Sequence, residues 1–183
     1  MSELKIYHAT KDLPLPLYYQ VETFVRIEWT DDEDYDIDEG LDEPNIHIVL
    51  SEGNTLFSYA SVIWVDIVHN EISYKCYGLR SVFTFSASRR QGFGGQVVKA
   101  ATDLIQQKED ADIALLWTEA HLVDYYVRYG WRAMPDTTIL IGEPDEPEIF
   151  NEEIPMMLFV SDKGRAGISA IESGQLYVGD EPW

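Results

Sequence analysis

Arg89-Arg90-Gln91-Gly92-Phe93-Gly94-Gly95 is the stretch on which the reading of this chain turns. It follows a strand-like run, Leu79-Arg80-Ser81-Val82-Phe83-Thr84-Phe85, and opens a helix-like run that continues to about Gln107. Three glycines at such a junction let backbone amides approach a ligand without interference from a Cβ. The helix that follows points its free N–H groups and the positive end of its dipole at the same place. Arg89 and Arg90 add fixed positive charge. Together these features describe an anion cradle, and the natural ligand is a pyrophosphate.

On either side of this stretch the chain alternates strands and helices. Leu4, Ile6 and His8 suggest a short first strand. Asp12-Leu13-Pro14 enters a helix that keeps its spacing through Leu17, Val21, Phe24 and Val25 to Trp29. Residues 31–43 follow, nine of the thirteen acidic; a regular element would set like charges side by side, so a loop or a loose helical turn is expected. A strand from Ile46, a long strand over Leu56–Val68 and a returning strand over Ile72–Phe85 form an antiparallel meander, turning at residues 51–54 and 69–71. After the glycine loop, Phe93, Val97, Val98, Ala101, Leu104 and Ile105 share one helix face, which is core packing.

Ile113–Thr118 is a buried strand, and His121–Tyr129 a helix stopped by Gly130. Thr137–Ile141 and Met156–Val160 are further strands around an acidic, proline-punctuated loop over 142–155. Residues 161–183 are left as a tail. The expected fold is α/β, a single mixed, mostly antiparallel sheet flanked by helices, in one domain spanning residues 1–183. The strand–glycine loop–helix–strand part should be a right-handed parallel crossover.

Composition narrows the ligands. The 183 residues are 45% hydrophobic, which suits a globular domain rather than an acidic disordered chain. The formal charge of −20 repels nucleic acid and anionic membranes and attracts cations. The blander reading is a solubilising surface. Residues 73–132 hold eight basic and six acidic side chains, so this segment is about +2 and the remainder about −22. A polyanion suits the first part and a polycation the rest. Cys76 is alone and is read as a small buried strand residue. The four histidines are scattered without metal-ligand spacing, so no metal is expected. Neither a signal pattern nor a run of roughly 18 apolar residues is present, which reads as cytoplasmic and without a membrane partner.

The glycines do not follow Gly-x-Gly-x-x-Gly with a later acid, nor Gly-Lys-Ser/Thr, so dinucleotide and P-loop readings fall away. Arg89-x-x-Gly92-x-Gly94 instead resembles the acyl-CoA signature of the GNAT N-acetyltransferase superfamily. A second block, Asp124-Tyr125-Tyr126-Val127-Arg128-Tyr129-Gly130-Trp131, resembles that family's Tyr-x-x-x-Gly-Phe/Trp segment. The resemblance implies acetyl-CoA as donor, its diphosphate on the amides of Gln91, Gly92, Phe93, Gly94, Gly95 and Gln96 beside Arg89 and Arg90. It implies that the pantetheine arm pairs like an extra strand with Val82, Phe83 and Thr84.

In that family a neutral amine attacks the thioester directly, and Tyr126 matches the tyrosine that protonates the leaving thiolate. A phenol with an ordinary pKa of about 10 suits that role. The bland alternative is one more packed tyrosine among eleven. A strand acid that the family often uses as a base, through water, is missing: the strand over Ile72–Phe85 carries Arg80 and no acid. Glu119, or a carboxylate from a loop or the tail, is the substitute.

The acidic loop and the end Gly179-Asp180-Glu181-Pro182-Trp183 are similar to aminoglycoside 2′-N-acetyltransferases. That likeness implies acceptor contacts from Asp34 or Asp36, Glu119, Glu152, Asp180 and Trp183 through its carboxylate. The leading expectation is therefore an acetyltransferase acting on a cationic small-molecule amine. Polyamines, basic peptides, and an acyl-CoA-binding module without turnover remain as alternatives, and a homodimer is left open.

Overall fold

The structure, a computed structural model, describes residues 1–29 and 45–179. In chain order its elements are β1 (Glu3–Tyr7), α1 (Leu15–Trp29), β2 (Ile46–Glu52), β3 (Thr55–His69), β4 (Ile72–Thr84) and α2 (Phe93–Gln106). They continue with β5 (Ile113–Thr118), α3 (Val123–Val127), β6 (Arg132–Ala133), β7 (Thr138–Ile141), β8 (Glu148–Phe150) and β9 (Ile154–Phe159). The chain closes with α4 (Asp162–Ala166), α5 (Ile168–Glu172) and β10 (Gln175–Tyr177). Hydrogen-bonded neighbours run β1-β2-β3-β4-β5-β9-β6, a mixed and mostly antiparallel sheet, as the sequence predicts. The residues group into two compact units, Met1–Ile63 with Ser81–Ala101 and Trp64–Arg80 with Thr102–Trp183.

In the first unit β1 lies antiparallel to β2, from Glu3↔Ser51 to Tyr7↔His47. β2 lies antiparallel to β3, with a register slip between Leu50 and Ser51. The apolar spacing of α1 buries Leu17, Val21 and Phe24 against Val49, Tyr59 and Phe83. Phe24 stacks on Phe83 with centroids 3.9 Å apart. Each such side chain contributes about 1.5–3 kcal/mol on burial. His47 is buried between the Tyr59 hydroxyl at 2.7 Å and Thr10 Oγ1 at 3.1 Å.

In the second unit β4 is parallel to β5, from Cys76↔Ile113 to Gly78↔Leu115, so the parallel crossover is present. β9 joins β5 antiparallel, and β6 joins β9. Cys76 is fully buried in the core with Ile113, Leu115, Met134, Met157 and Ile171. Asp112 ties three elements together. Its carboxylate accepts from the Lys75 amide at 2.9 Å and the Ser161 hydroxyl at 2.7 Å, and pairs with Lys163. Burial alone would raise its pKa; these donors outweigh it and hold it below the ordinary value.

Three expectations are corrected. The tail is folded: Ser161 caps α4 by accepting from the Gly164 amide at 3.0 Å, and α5 and β10 follow. Gly164 and Gly167 are required there, because a Cβ would stand 2.0 Å from Asp112 O or 2.6 Å from the Tyr74 hydroxyl. The acidic loop over 142–155 contains β8, paired with β7 from Ile139↔Phe150 to Ile141↔Glu148. With β10 parallel to β7 these form a second sheet, ordered β10-β7-β8, beside the one expected. Finally, the helix expected over His121–Tyr129 is a 3-10 turn over Ala120–Leu122 and the short α3.

Candidate active site

The glycine stretch lies in the first unit. A 3-10 turn over Ser86–Ser88 leads out of β4, and Arg89 Nε donates to the Thr84 carbonyl at 3.0 Å, closing the approach to the loop. Arg90 and Gly92 both adopt left-handed backbone, at φ 64° and 77°. Gly92 tolerates this freely, and an added Cβ there would meet nothing within 4 Å. α2 begins at once, at Phe93. Its earliest closing bond, Gln96 N–H to Gly92 O at 3.2 Å, leaves the amides of Phe93, Gly94 and Gly95 without an intrahelical acceptor.

These are the donors a diphosphate needs, next to open space at Gly92, so the residues fit the ligand expected of them. Gln91 and Gln96 are exposed, and the Phe93 ring stacks on Phe57 at 5.5 Å. Val82, Phe83 and Thr84 end β4. Ser81, immediately before them, holds φ 50°, which is costly for a non-glycine residue and interrupts the regular strand. Phe83 is a core residue, so only its backbone is offered to a ligand, and its carbonyl already accepts from Ser58 at 2.7 Å.

The second unit holds the other group. In the block over 124–131, Gly130 takes φ 92° to turn the chain after α3, which only glycine does without strain. Trp131 is 2% exposed and donates to Thr102 Oγ1 at 3.0 Å. Tyr126 differs from both. It is 7% exposed, yet among the described residues its hydroxyl has no hydrogen-bond partner. Burial, and after it the charge of Glu153, push its phenol up to about 12.

Thr118↔Ile154 is the last register pair of β5 and β9, so Glu119 and Glu153 leave the same end of that pair, with Glu152 beside them. Burial, then Glu119 and Glu152, raise the Glu153 carboxyl above its ordinary value. Tyr126, Glu119 and Glu152 are thus gathered in one unit. Glu153 is the residue the sequence reading missed. Its neighbour Glu152 was singled out, but only strand register separates the two. Asp34, Asp36, Asp180 and Trp183 lie outside the described residues. Among the described residues no three His, Cys, Asp or Glu side chains gather as metal ligands, and no helix is long and apolar enough to cross a membrane.

With the parallel crossover, the glycine cradle and the tyrosine block in place, the class is an acyl-CoA-using transferase. A profile of the acetyltransferase (GNAT) family matches residues 9–131, and the chain belongs to that family. It is accordingly an acyltransferase, a class that takes an acyl-CoA donor and an amine acceptor. No curated protein matches the sequence. Solved structures are similar in fold. Escherichia coli YhbS, in complex with CoA, aligns over 96% of this chain and 88% of its own at 13% identity and TM-score 0.65. Escherichia coli ElaA aligns over 86% and 99% at 20% identity and TM-score 0.61. An aminoglycoside 6′-N-acetyltransferase complexed with coenzyme A aligns over 86% and 97% at 12% identity and TM-score 0.57.

Proposed function

We propose that residues 1–183 work as one cytoplasmic, acetyl-CoA-dependent N-acetyltransferase whose acceptor is a polycationic small molecule, an aminoglycoside or a compound like it. The amides of residues 91–96, with Arg89 and Arg90, hold the diphosphate, and the backbone of Val82–Thr84 holds the pantetheine arm. Bound there, acetyl-CoA supplies the activated acetyl group. Tyr126 is the general acid. The observation that carries the reading is its hydroxyl: the ring is packed in the core against Tyr125, Gly130 and Trp131 have structural work, and the Tyr126 O–H, unpartnered among the described residues, has none.

The acceptor class follows from charge. The charge of Glu153 reaches Tyr126, and those of Glu119 and Glu152 reach Glu153, so this end of the strand pair is acidic in a chain of net charge −20. Asp34, Asp36 and Asp180, with Trp183 close to Asp180 in sequence, would add to the grip on ammonium groups. The similarity in fold to an aminoglycoside 6′-N-acetyltransferase supports the class without identifying the acceptor. Thiol release, measured with aminoglycosides, polyamines, basic peptides and amino acids, tests this. Polycationic small molecules should give the highest kcat/KM. Turnover confined to neutral or anionic amines would refute the acceptor assignment.

A further inference from the structure

The base for this reaction has no place on β4, which carries Arg80 and no carboxylate. The end of the β5–β9 pair offers three carboxylates, and they are not equivalent. The Glu119 side chain is 70% exposed and faces His121 Nδ1 at 3.2 Å. Glu152 is exposed. Glu153 is half-buried, and among the described residues it accepts no hydrogen bond and joins no ion pair. It is also the one whose charge reaches Tyr126, whose own hydroxyl is unpartnered among the described residues. The chain from β5 passes through Glu119 and the turn over 120–122 into α3, so acid and phenol belong to one end of one strand pair.

We propose that Glu153 is the general base of the transfer, taking a proton from the acceptor's ammonium group in place of an acid on β4. The proposal rests on the acetyl-transfer reading above. Glu153 accepts the first proton, keeps it through the acyl transfer and then releases it to solvent. The freed nitrogen lone pair forms the C–N bond at the thioester carbonyl, and the C–S bond breaks with its electron pair on sulfur. Tyr126 gives its hydroxyl proton to that sulfur and recovers one from the cationic nitrogen. The ammonium loses two protons, one ending on the thiol and one in solvent, so atoms and charge balance.

The two groups assist each other. Burial, and after it the charges of Glu119 and Glu152, make Glu153 a better proton acceptor than a surface carboxylate. A phenol at about 12 is a poor acid toward a thiolate. Once Glu153 is protonated its charge is gone, and with it part of what holds the proton on Tyr126. Taking the proton from the amine therefore primes the acid.

The test is kcat/KM from pH 6 to 10 for wild type, Glu153→Gln and Glu153→Asp, on the best amine of the acceptor panel. Glu153→Gln should lose about 10²-fold at pH 7. Its log kcat/KM should then climb with unit slope and approach wild type near the amine's own pKa, while Glu153→Asp restores part of the rate at pH 7. Acetyl-CoA affinity by calorimetry should be unchanged in both. In unliganded protein labelled with 13C at glutamate carboxyls, one carboxyl should titrate above the others and vanish in Glu153→Gln. A loss independent of pH, a loss confined to acceptor KM, or no high-titrating signal from Glu153 would overturn the assignment. If wild type binds acetyl-CoA and turns over no amine, the acetyl-transfer reading fails and the base falls with it.

Discussion

Tyr126 sits in a motif whose other fixed members are explained by structure. Gly130 supplies a left-handed turn, and Trp131 fills a core position and hydrogen-bonds Thr102. A phenylalanine would fill the space of Tyr126 equally well, so its hydroxyl is the part without a structural reason. Tyr126→Phe should therefore leave the melting temperature and acetyl-CoA affinity near wild type while lowering kcat at least 10-fold, the scale of lost acid catalysis. Steady-state kinetics beside calorimetry decide this; unchanged kcat would remove Tyr126 from the mechanism. Tyr126 was legible in the sequence because Tyr-x-x-x-Gly-Trp is a local spacing. Glu153 was not, because its role comes from register with β5 and from burial, and neither is written in its immediate neighbours.

At the scale of the element, the start of α2 couples backbone conformation to binding. Gly92 lies at φ 77°, where a side chain costs about 1 kcal/mol, and the space its Cβ would enter is open in the protein. In the proposed complex that space belongs to the diphosphate. Gly92→Ala should thus lower stability by only about 1 kcal/mol yet weaken acetyl-CoA binding by 10-fold or more. Urea unfolding and calorimetry separate the two effects; an unchanged donor Kd would place the diphosphate elsewhere. The meander, the crossover and α2 were readable from period-2 and helical spacing. The left-handed Ser81 within β4 was not, because serine carries no signal for it. β8 and the folded tail were obscured by glycines, serines and acids, and became visible only through β7, which pairs with both β8 and β10.

Across the whole molecule, the excess of acid acts at a distance. A net charge of −20 produces a field that salt shortens, from a Debye length of about 10 Å at 0.1 M to about 3 Å at 1 M. For a polycationic acceptor the KM should rise several-fold between 0.05 and 0.5 M potassium chloride. In the proposed complex the donor is an anion held mainly by local amides and arginines, so its Kd should not weaken in parallel. An acceptor KM flat across this range would reject long-range attraction as the basis of acceptor choice.

Short-range patterns were enough for the family and for proposing the donor loop. Glycine spacing, an arginine pair, a strand before and a helix after are local, and backbone amides act on a phosphate wherever the fold places them. The acceptor side needed tertiary structure. Burial pushes the Tyr126 phenol upward, strand register brings Glu119, Glu152 and Glu153 to one end of β5 and β9, and packing settles which of them stays half-buried. Proton affinities depend on neighbours distant in the chain, and folding alone brings those neighbours together.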